Sequence, residues 1–387
     1  MGASGCGRPT TLEDDRPPPF SFRALDLQQQ TTDGKPAWSL VSPEARYDIR
    51  SSVARALRPE GVIFAKGKPL YKLGATTGTV INDGEVILLE GAIRLLRLGA
   101  SPLLITADRA LWIPRESLMR FELTPRVRNR QSLIRSQTAT LHLDQDLLKL
   151  RGNPTLLHWS RPMALSAPTS PQPPEMQGTV KEVDWRPGSG ELSGVGPLTI
   201  LRRPPGRRPD RPLQRLTATR LQGNTQRQEY TLQGPVRIDD PAEESWFRGG
   251  EVRFHAKEQW LRSGAPFEAK KGAVEVRGND LRLDGLATLA TIGANCALRQ
   301  GGEALQAQRC EWNWQSQAVA AQGGVELRRQ ANDQLTRAER LEGQLGANGR
   351  LLLSTPGGRV ISQLRVPRQA RPPQPQKPRP KPEPIVF

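Results

Sequence analysis

The chain has 387 residues, 36% of them hydrophobic, with 36 Gly and 35 Pro, which excludes both a collagen-like chain and a polar disordered polymer. Its 56 Lys and Arg against 39 Asp and Glu leave a formal charge of +17, which favours polyanions: nucleic acid, anionic lipid head groups or phosphorylated glycolipid. No run of about 18 apolar residues occurs, so no segment reads as a membrane-spanning helix, and a chain this long is expected to divide into two domains.

Residues 1–19 form a polar, Pro-rich N-terminal anchor or linker segment. Within it, Ala3-Ser4-Gly5-Cys6 resembles the end of a bacterial lipoprotein signal, without the basic and apolar regions that precede such a site. Two readings stand: a start further upstream with Cys6 as a lipid anchor, or a chance run of small residues. The myristoylation pattern fails, because Cys6 stands where Ser or Thr is required.

From Phe20 to about Val366, period-2 alternation and Gly punctuation dominate, and capped 3.6-period stripes are hard to find. The fold class is all-β. Pro lacks an N–H donor, so the Pro-rich stretch 164–177 is expected to be a linker between a first unit, 20–163, and a second, 178–366. The segment from Arg202 to Pro212 reads as a long basic hairpin loop. Residues 367–387 alternate Pro with Lys, Arg and Gln, as in an extended basic polyproline II tail, with Lys377, Arg379 and Lys381 facing an anionic membrane or partner.

A degenerate repeat, apolar-x-apolar-x-Gly-x-apolar-x-apolar, is centred on Gly91, Gly152, Gly234, Gly285 and Gly323. Around the first lie Ile87, Leu89, Ile93 and Leu95; around the second, Leu148, Leu150 and Leu156; around the third, Tyr230, Leu232, Val236 and Ile238; around the fourth, Leu281, Leu283, Ala287 and Leu289; around the fifth, Val319, Ala321, Val325 and Leu327. Strand side chains alternate between faces, so each set lines one apolar face, while Glu90, Arg94, Gln233 and Arg237 fall on the other. Gly weakens a strand, so its recurrence in one phase marks a bend, a bulge or a close backbone approach. A second element, Ile105 to Trp112, is echoed by Leu216 to Leu221 and by Leu305 to Trp312, and is expected to supply the strands paired with the Gly-centred ones. Uneven spacing argues against a regular propeller or short-period β-helix and favours a curled antiparallel sheet or two facing sheets.

Phe22-Arg-Ala-Leu-Asp-Leu27, Gly34-Lys-Pro-Ala-Trp-Ser-Leu40, Glu44-Ala-Arg-Tyr47, Leu88-Leu-Glu-Gly-Ala-Ile-Arg-Leu95 and Leu104 to Trp112 resemble the LptC family of lipopolysaccharide export. Val325-Glu-Leu327, Leu335 to Gly343 and Gly358 to Leu364 are similar to the related LptA or OstA-like repeat. The resemblance implies two tandem curved antiparallel β-jellyroll units whose facing sheets hold acyl chains. It implies, as partners, lipopolysaccharide, an inner-membrane ABC transporter and other OstA-like jellyrolls stacked end to end. The implied place is the periplasm, attached to the inner membrane. The chain departs from the family in lacking the usual N-terminal membrane helix and in being long enough for two units.

On that reading the lipid-binding groove is expected to be lined by Ile87, Leu89, Ile93, Leu95, Leu148, Leu150, Tyr230, Leu232, Val236 and Ile238. The same face is plain core in a closed sandwich, and sequence does not choose between the two. Arg94, Arg97, Arg109, Arg237 and Arg253 are the cations that a groove mouth would use for lipid phosphate, each alone being equally well a solvated strand residue. The rival reading is a basic β protein that binds nucleic acid or another polyanion, with Trp112 or Trp260 stacking bases. Aromatics at only 5%, with basic residues spread over the whole length, count against it, and no nucleic acid is expected.

No enzyme is expected, because no P-loop, His-Glu-x-x-His or Gly-x-Ser-x-Gly occurs. The adjacent acids Asp239 and Asp240 would point to opposite faces of a strand. Three scattered histidines and three cysteines suggest neither metal nor cofactor. Cys296 and Cys310 flank the Gln300-Gly-Gly302 turn on successive expected strands, so an oxidising compartment could link them if their Cα atoms come within ~7 Å. Counting out from the turn does not place them directly opposite, and two buried free thiols are the preferred expectation.

Overall fold

The computed structural model describes residues 20–166, 172–204, 206–208, 210–330, 333–346 and 349–365. The N-terminal segment with Cys6 and the basic tail lie outside them. Thirty-two strands are present among the described residues, all paired antiparallel, with short 3-10 turns at Asn82–Gly84, Pro114–Glu116 and Pro241–Glu243.

The pairings trace two ladders. Sheet I starts with Phe20–Phe22, Glu44–Asp48, Val53–Leu57 and Thr77–Ile81 and ends with Leu351–Ser354. Sheet II starts with Leu25–Gln30, Pro36–Ser42 and Glu60–Ala65 and ends with Ile361–Gln363. Long strands belong to both. Val86–Arg97 pairs with Thr77–Ile81 through residues 86–90 and with Lys68–Gly74 through residues 94–97. Between the ladders, Trp38 of sheet II packs edge to face on Trp112 of sheet I with ring centroids 5.3 Å apart. The sheets therefore face each other across a shared interior.

The bend that joins the sheets is where the repeat glycines sit. Gly91 and Ala92 oppose Asp108 alone, a bulge in which Gly91 takes φ +73°, and a Cβ there would lie 2.9 Å from the Thr76 hydroxyl. Gly234 and Gly323 occupy the same place in Glu229–Asp240 and Ala318–Arg329. Gly152 follows Leu147–Arg151 at the step from sheet I to sheet II. Gly285 does not belong to this set. It lies in the turn between Val274–Asp284 and Leu289–Gln300, where the Asp284 carboxylate accepts from the N–H groups of Leu286 and Ala287. Two strand ends joined by an Asx turn reproduce the motif's spacing, which is why the pattern misassigns it.

The second recurring element does pair with the Gly-centred strands: Leu103–Ile113 with Val86–Arg97, Gln214–Asn224 with Glu229–Asp240, and Glu303–Ala307 plus Arg309–Asn313 with Ala318–Arg329. The basic loop after Arg202 closes the hairpin of Glu191–Arg202 with Gln214–Asn224, and Arg207 pins it through two 2.8 Å hydrogen bonds to buried Asp240. Asp239, on the opposite face, pairs with Arg248 instead.

Paired strands cross the expected linker. Leu147–Arg151 pairs with Glu182–Trp185 in sheet I, and Thr155–His158 with Met176–Thr179 in sheet II. The interior divides later, into one hydrophobic cluster from Trp38 to Trp185 and another from Leu198 to Leu345, with Val180 packed against both. In the second cluster Cys296 and Cys310 are not free thiols but a disulfide, Cα atoms 5.9 Å apart. Counting from the turn fails because Leu289–Gln300 bends after Ile292: Ile292 opposes Cys310 in sheet I, whereas Cys296 opposes Ala307 in sheet II. The bond thus ties the two sheets together.

Candidate functional site

The apolar interior between the sheets is the candidate site. Ile87, Leu89, Ile93, Leu95, Leu148 and Leu150 are fully buried in the first cluster, and Leu232 and Val236 are buried in the second. Tyr230 and Ile238 are half-buried, and Tyr230 stacks on Phe254 with centroids 5.4 Å apart. Nine of the ten groove candidates therefore belong to or pack against the interior, in two groups on different clusters, and Tyr230 reaches the second through Phe254. Burial holds the Tyr230 hydroxyl above the usual phenol pKa.

Away from the bend, the first half of the interior is closed by a polar latch. Tyr71 Oη donates to Asp146 Oδ1 at 2.9 Å, and Arg97 Nε and Nη2 donate to the two oxygens of the same carboxylate at 3.1 Å each. Gly188 N adds a fourth bond at 2.7 Å. Tyr71 and Arg97 are on sheet II, while Asp146 sits in a turn of sheet I, so the latch spans the mouth. Burial and the Asp146 charge push the Tyr71 pKa up, which keeps its proton available for this bond. Sequence reasoning missed the latch because its members are 49 and 75 residues apart.

Between the two clusters the interior is looser. Leu192, Ile200, Leu216 and Leu221 face inward there yet remain half-buried. At the rim, Arg202 shares the inward phase of Leu198 and Ile200, and Met176 separates it in register from His158. The His158 Nδ1 lies 2.9 Å from the Ser132 hydroxyl. Burial holds the His158 imidazole below its usual pKa, with Glu175 opposing the shift and Arg202 adding to it. Along sheet I, Trp112, Trp185 and Trp312 bury indole N–H groups that find no acceptor among the described residues. A greasy interior with unused donors can hold an amphiphile's chain and its carbonyl groups.

The five cations separate into engaged and available ones. Arg97 belongs to the latch, Arg109 approaches Glu122 at 4.0 Å, and Arg253 binds Glu229 at 2.6 Å. Arg94 and Arg237 lie on the outer face, beside Thr106 and Thr217 in register. For the rival reading the aromatics matter: Trp112 is buried core, and Trp260 is engaged by Glu258 and by the Arg262 guanidinium 4.7 Å from its ring. Neither stands free to stack a base. Among the described residues no group of three or more His, Cys, Asp or Glu is arranged to hold a metal, and no helix is long and apolar enough to cross a membrane.

Residues 2–155 match the family described as lipopolysaccharide-assembly, LptC-related. That stretch of the chain is similar to the LptC family. This segment includes Tyr71, Arg97 and Asp146 of the latch and six of the ten groove candidates, Ile87 to Leu150, and the match supports a role in lipopolysaccharide transport. The match stops short of the stretch from Val325 to Leu364 that resembles LptA. Among solved structures, the crystal structure of LptH, the LptA homologous periplasmic component of the conserved lipopolysaccharide transport device from Pseudomonas aeruginosa, is similar at 12% identity. It covers 42% of this chain and 82% of that one with a TM-score of 0.20, a superposition too loose to bear on function. No curated protein matches the sequence.

Proposed function

We propose that the protein is a non-enzymatic component of a periplasmic bridge that carries lipopolysaccharide from an inner-membrane ABC transporter towards the outer membrane. The observation that carries this reading is the apolar interior between two facing sheets, in two clusters from Trp38 to Trp185 and from Leu198 to Leu345 that both contact Val180, on a chain whose residues 2–155 are similar to the LptC family. Each acyl methylene withdrawn from water contributes ~0.8 kcal/mol, so a chain lying between the sheets binds without any catalytic group. Entry is at the loose region around Ile200, Leu216 and Ile238, because residues with no exposure, such as Ile93 and Leu95, have no room for a guest unless the sheets part. The two hydrophobic clusters support two lipid-holding units in one chain.

End-to-end stacking on other jellyrolls is supported by the unpaired edges of both sheets. Among the described residues, Leu25–Gln30 at one end and Leu351–Ser354 and Ile361–Gln363 at the other pair on one side only. The second end also exposes Leu352, Ile361 and Leu364. Such open edges are templates for another strand. Attachment at the inner membrane, through Cys6 or another anchor, completes the proposal.

The test places a photo-crosslinking side chain at Ile238, and separately at its outward neighbour Arg237, in cells. Lipopolysaccharide adducts at Ile238 and none at Arg237 are expected. A folded protein that captures lipopolysaccharide at neither position, nor at Leu216, overturns the groove.

A further inference from the structure

The outer face of sheet II carries a second feature, unrelated to the interior. Strands Val86–Arg97, Leu103–Ile113, Arg126–Arg128 and Ser132–Arg135 lie side by side, and their register places Arg94, Thr106, Arg126 and Arg135 in one row. The next row is Leu96, Leu104, Arg128 and Leu133. Ile93, Leu95 and Ile105 point the other way, into the core, so both rows face outward.

Two outward leucines are nevertheless buried: Leu104 is 7% and Leu133 3% exposed. The segment after Trp159 covers them. It is fastened to the sheet by Trp159 N donating to Gln131 O at 2.8 Å and Met163 N donating to Arg130 O at 2.6 Å. Two pockets open beneath it. The first, about 560 Å³, is lined by Arg94, Arg126, Arg128 and Arg135 with a single carboxylate, Asp108. The second, about 860 Å³, shares Arg94, Leu104 and Leu165 with the first and continues over Leu96, Leu98 and Met163.

Arginines oppose one another in register elsewhere too, as Arg237 with Arg248, Arg253 with Arg262 and Arg46 with Arg55. In the first two pairs a carboxylate sits on one partner, Asp239 on Arg248 and Glu229 on Arg253. Here the register partners of Arg126 are Thr106 and Arg135, and like charges directly opposite one another destabilise a sheet. Desolvation, and then the charges of Arg126 and Arg135, hold the Arg128 guanidinium below its usual pKa. A dianion between these forks would remove the repulsion and accept charge-assisted, two-pronged hydrogen bonds. The adjoining pocket begins at Arg94 and Leu104, within reach of anything attached to that anion, and sets an apolar floor of Leu96, Leu98 and Met163 among Glu60, Lys72, Arg97 and Arg130.

We propose that the paired pockets bind a lipid bearing a phosphomonoester head group, with the phosphate among Arg94, Arg126 and Arg135 and the start of the chain over Leu104, Leu96 and Met163. The site lies outside the jellyroll and does not depend on the interior holding lipid. It would give the molecule a grip on a phosphorylated lipid at a membrane surface while the interior stays free for cargo.

The test titrates the full chain with dioctanoyl phosphatidic acid below its micelle concentration, dioctanoyl phosphatidylcholine and inorganic phosphate, by calorimetry. Phosphatidic acid is expected to bind at least tenfold tighter than either of the others. Arg126→Ala with Arg135→Ala should weaken it about tenfold or more, and Leu165→Asp severalfold, with circular dichroism unchanged. Arg94→Ala, on an exposed side chain of a different strand, repeats the test should the double variant misfold. Ile238→Asp, in the interior, should leave this binding intact. Equal affinity for inorganic phosphate reduces the site to an anion site and overturns the proposal. So does equal affinity for phosphatidylcholine, no binding at all, or unchanged binding in the arginine variants.

Discussion

The two halves of the molecule hold their facing sheets together by different chemistry. In the first, Trp38 and Trp112 pack across the gap and Asp146 latches Tyr71 and Arg97 at the mouth, all of it non-covalent. In the second, the Cys296–Cys310 disulfide staples the sheets near the bend. Hydrogen bonds can open and reform without breaking a covalent bond, whereas a disulfide fixes the spacing it spans. The half held without a covalent link is the one that contains most of residues 2–155, the stretch similar to the LptC family.

The largest expected effects test whether the two interiors are equivalent. Trp112→Ala and Trp312→Ala each remove a buried aromatic from one cluster, and each should cost ~4 kcal/mol in urea unfolding. A large loss for one with almost none for the other would break the equivalence. Next, Cys296→Ser in the oxidised protein should cost ~3 kcal/mol, given the 14-residue separation of the cysteines. Reductant should destabilise the parent and leave this variant unmoved.

Asp146→Asn keeps the shape of the latch but leaves Arg97 half-buried without its counter-charge, at an expected cost of about 2 kcal/mol. The same change should raise crosslinking of lipopolysaccharide in the first half, read from a probe at Leu95; unchanged capture there would show that the latch does not gate entry. The smallest effect concerns pH. The folded His158 pKa lies below that of the unfolded chain, so the unfolded state binds more protons and stability falls as pH drops below about 6.5. His158→Gln should flatten that slope, and an unchanged slope would assign it to other groups.

Much of this architecture is legible in the sequence, and the reason is a count of residues at the bend. In the Gly-centred strands the bulge adds two residues, so Ile87, Leu89, Ile93 and Leu95 keep one parity through it. In the partner strand only Asp108 is added, so the inward set changes from Ile105 and Ala107 to Ala110 and Trp112. A period-2 reading therefore follows the first strand and loses the second. The same two-against-one count recurs where Gly234 faces Thr219, with Leu216 and Ala218 on one side of the bulge and Leu221 on the other. Gly285 was misread because a turn satisfies the same spacing.

Sequence by itself determined the all-β class, the inward face of the Gly-centred strands, the pairing partners of those strands, the basic hairpin loop and the opposite faces of Asp239 and Asp240. These rest on alternation, on proline's missing donor and on the φ that glycine permits, which are properties of neighbouring residues. Tertiary structure alone decided that Cys296 reaches Cys310, that Asp146 latches Arg97, and that four arginines gather beneath the segment after Trp159. Each of those joins residues brought together by a bulge, a facing sheet or a crossing segment, and no local pattern encodes the distance between them.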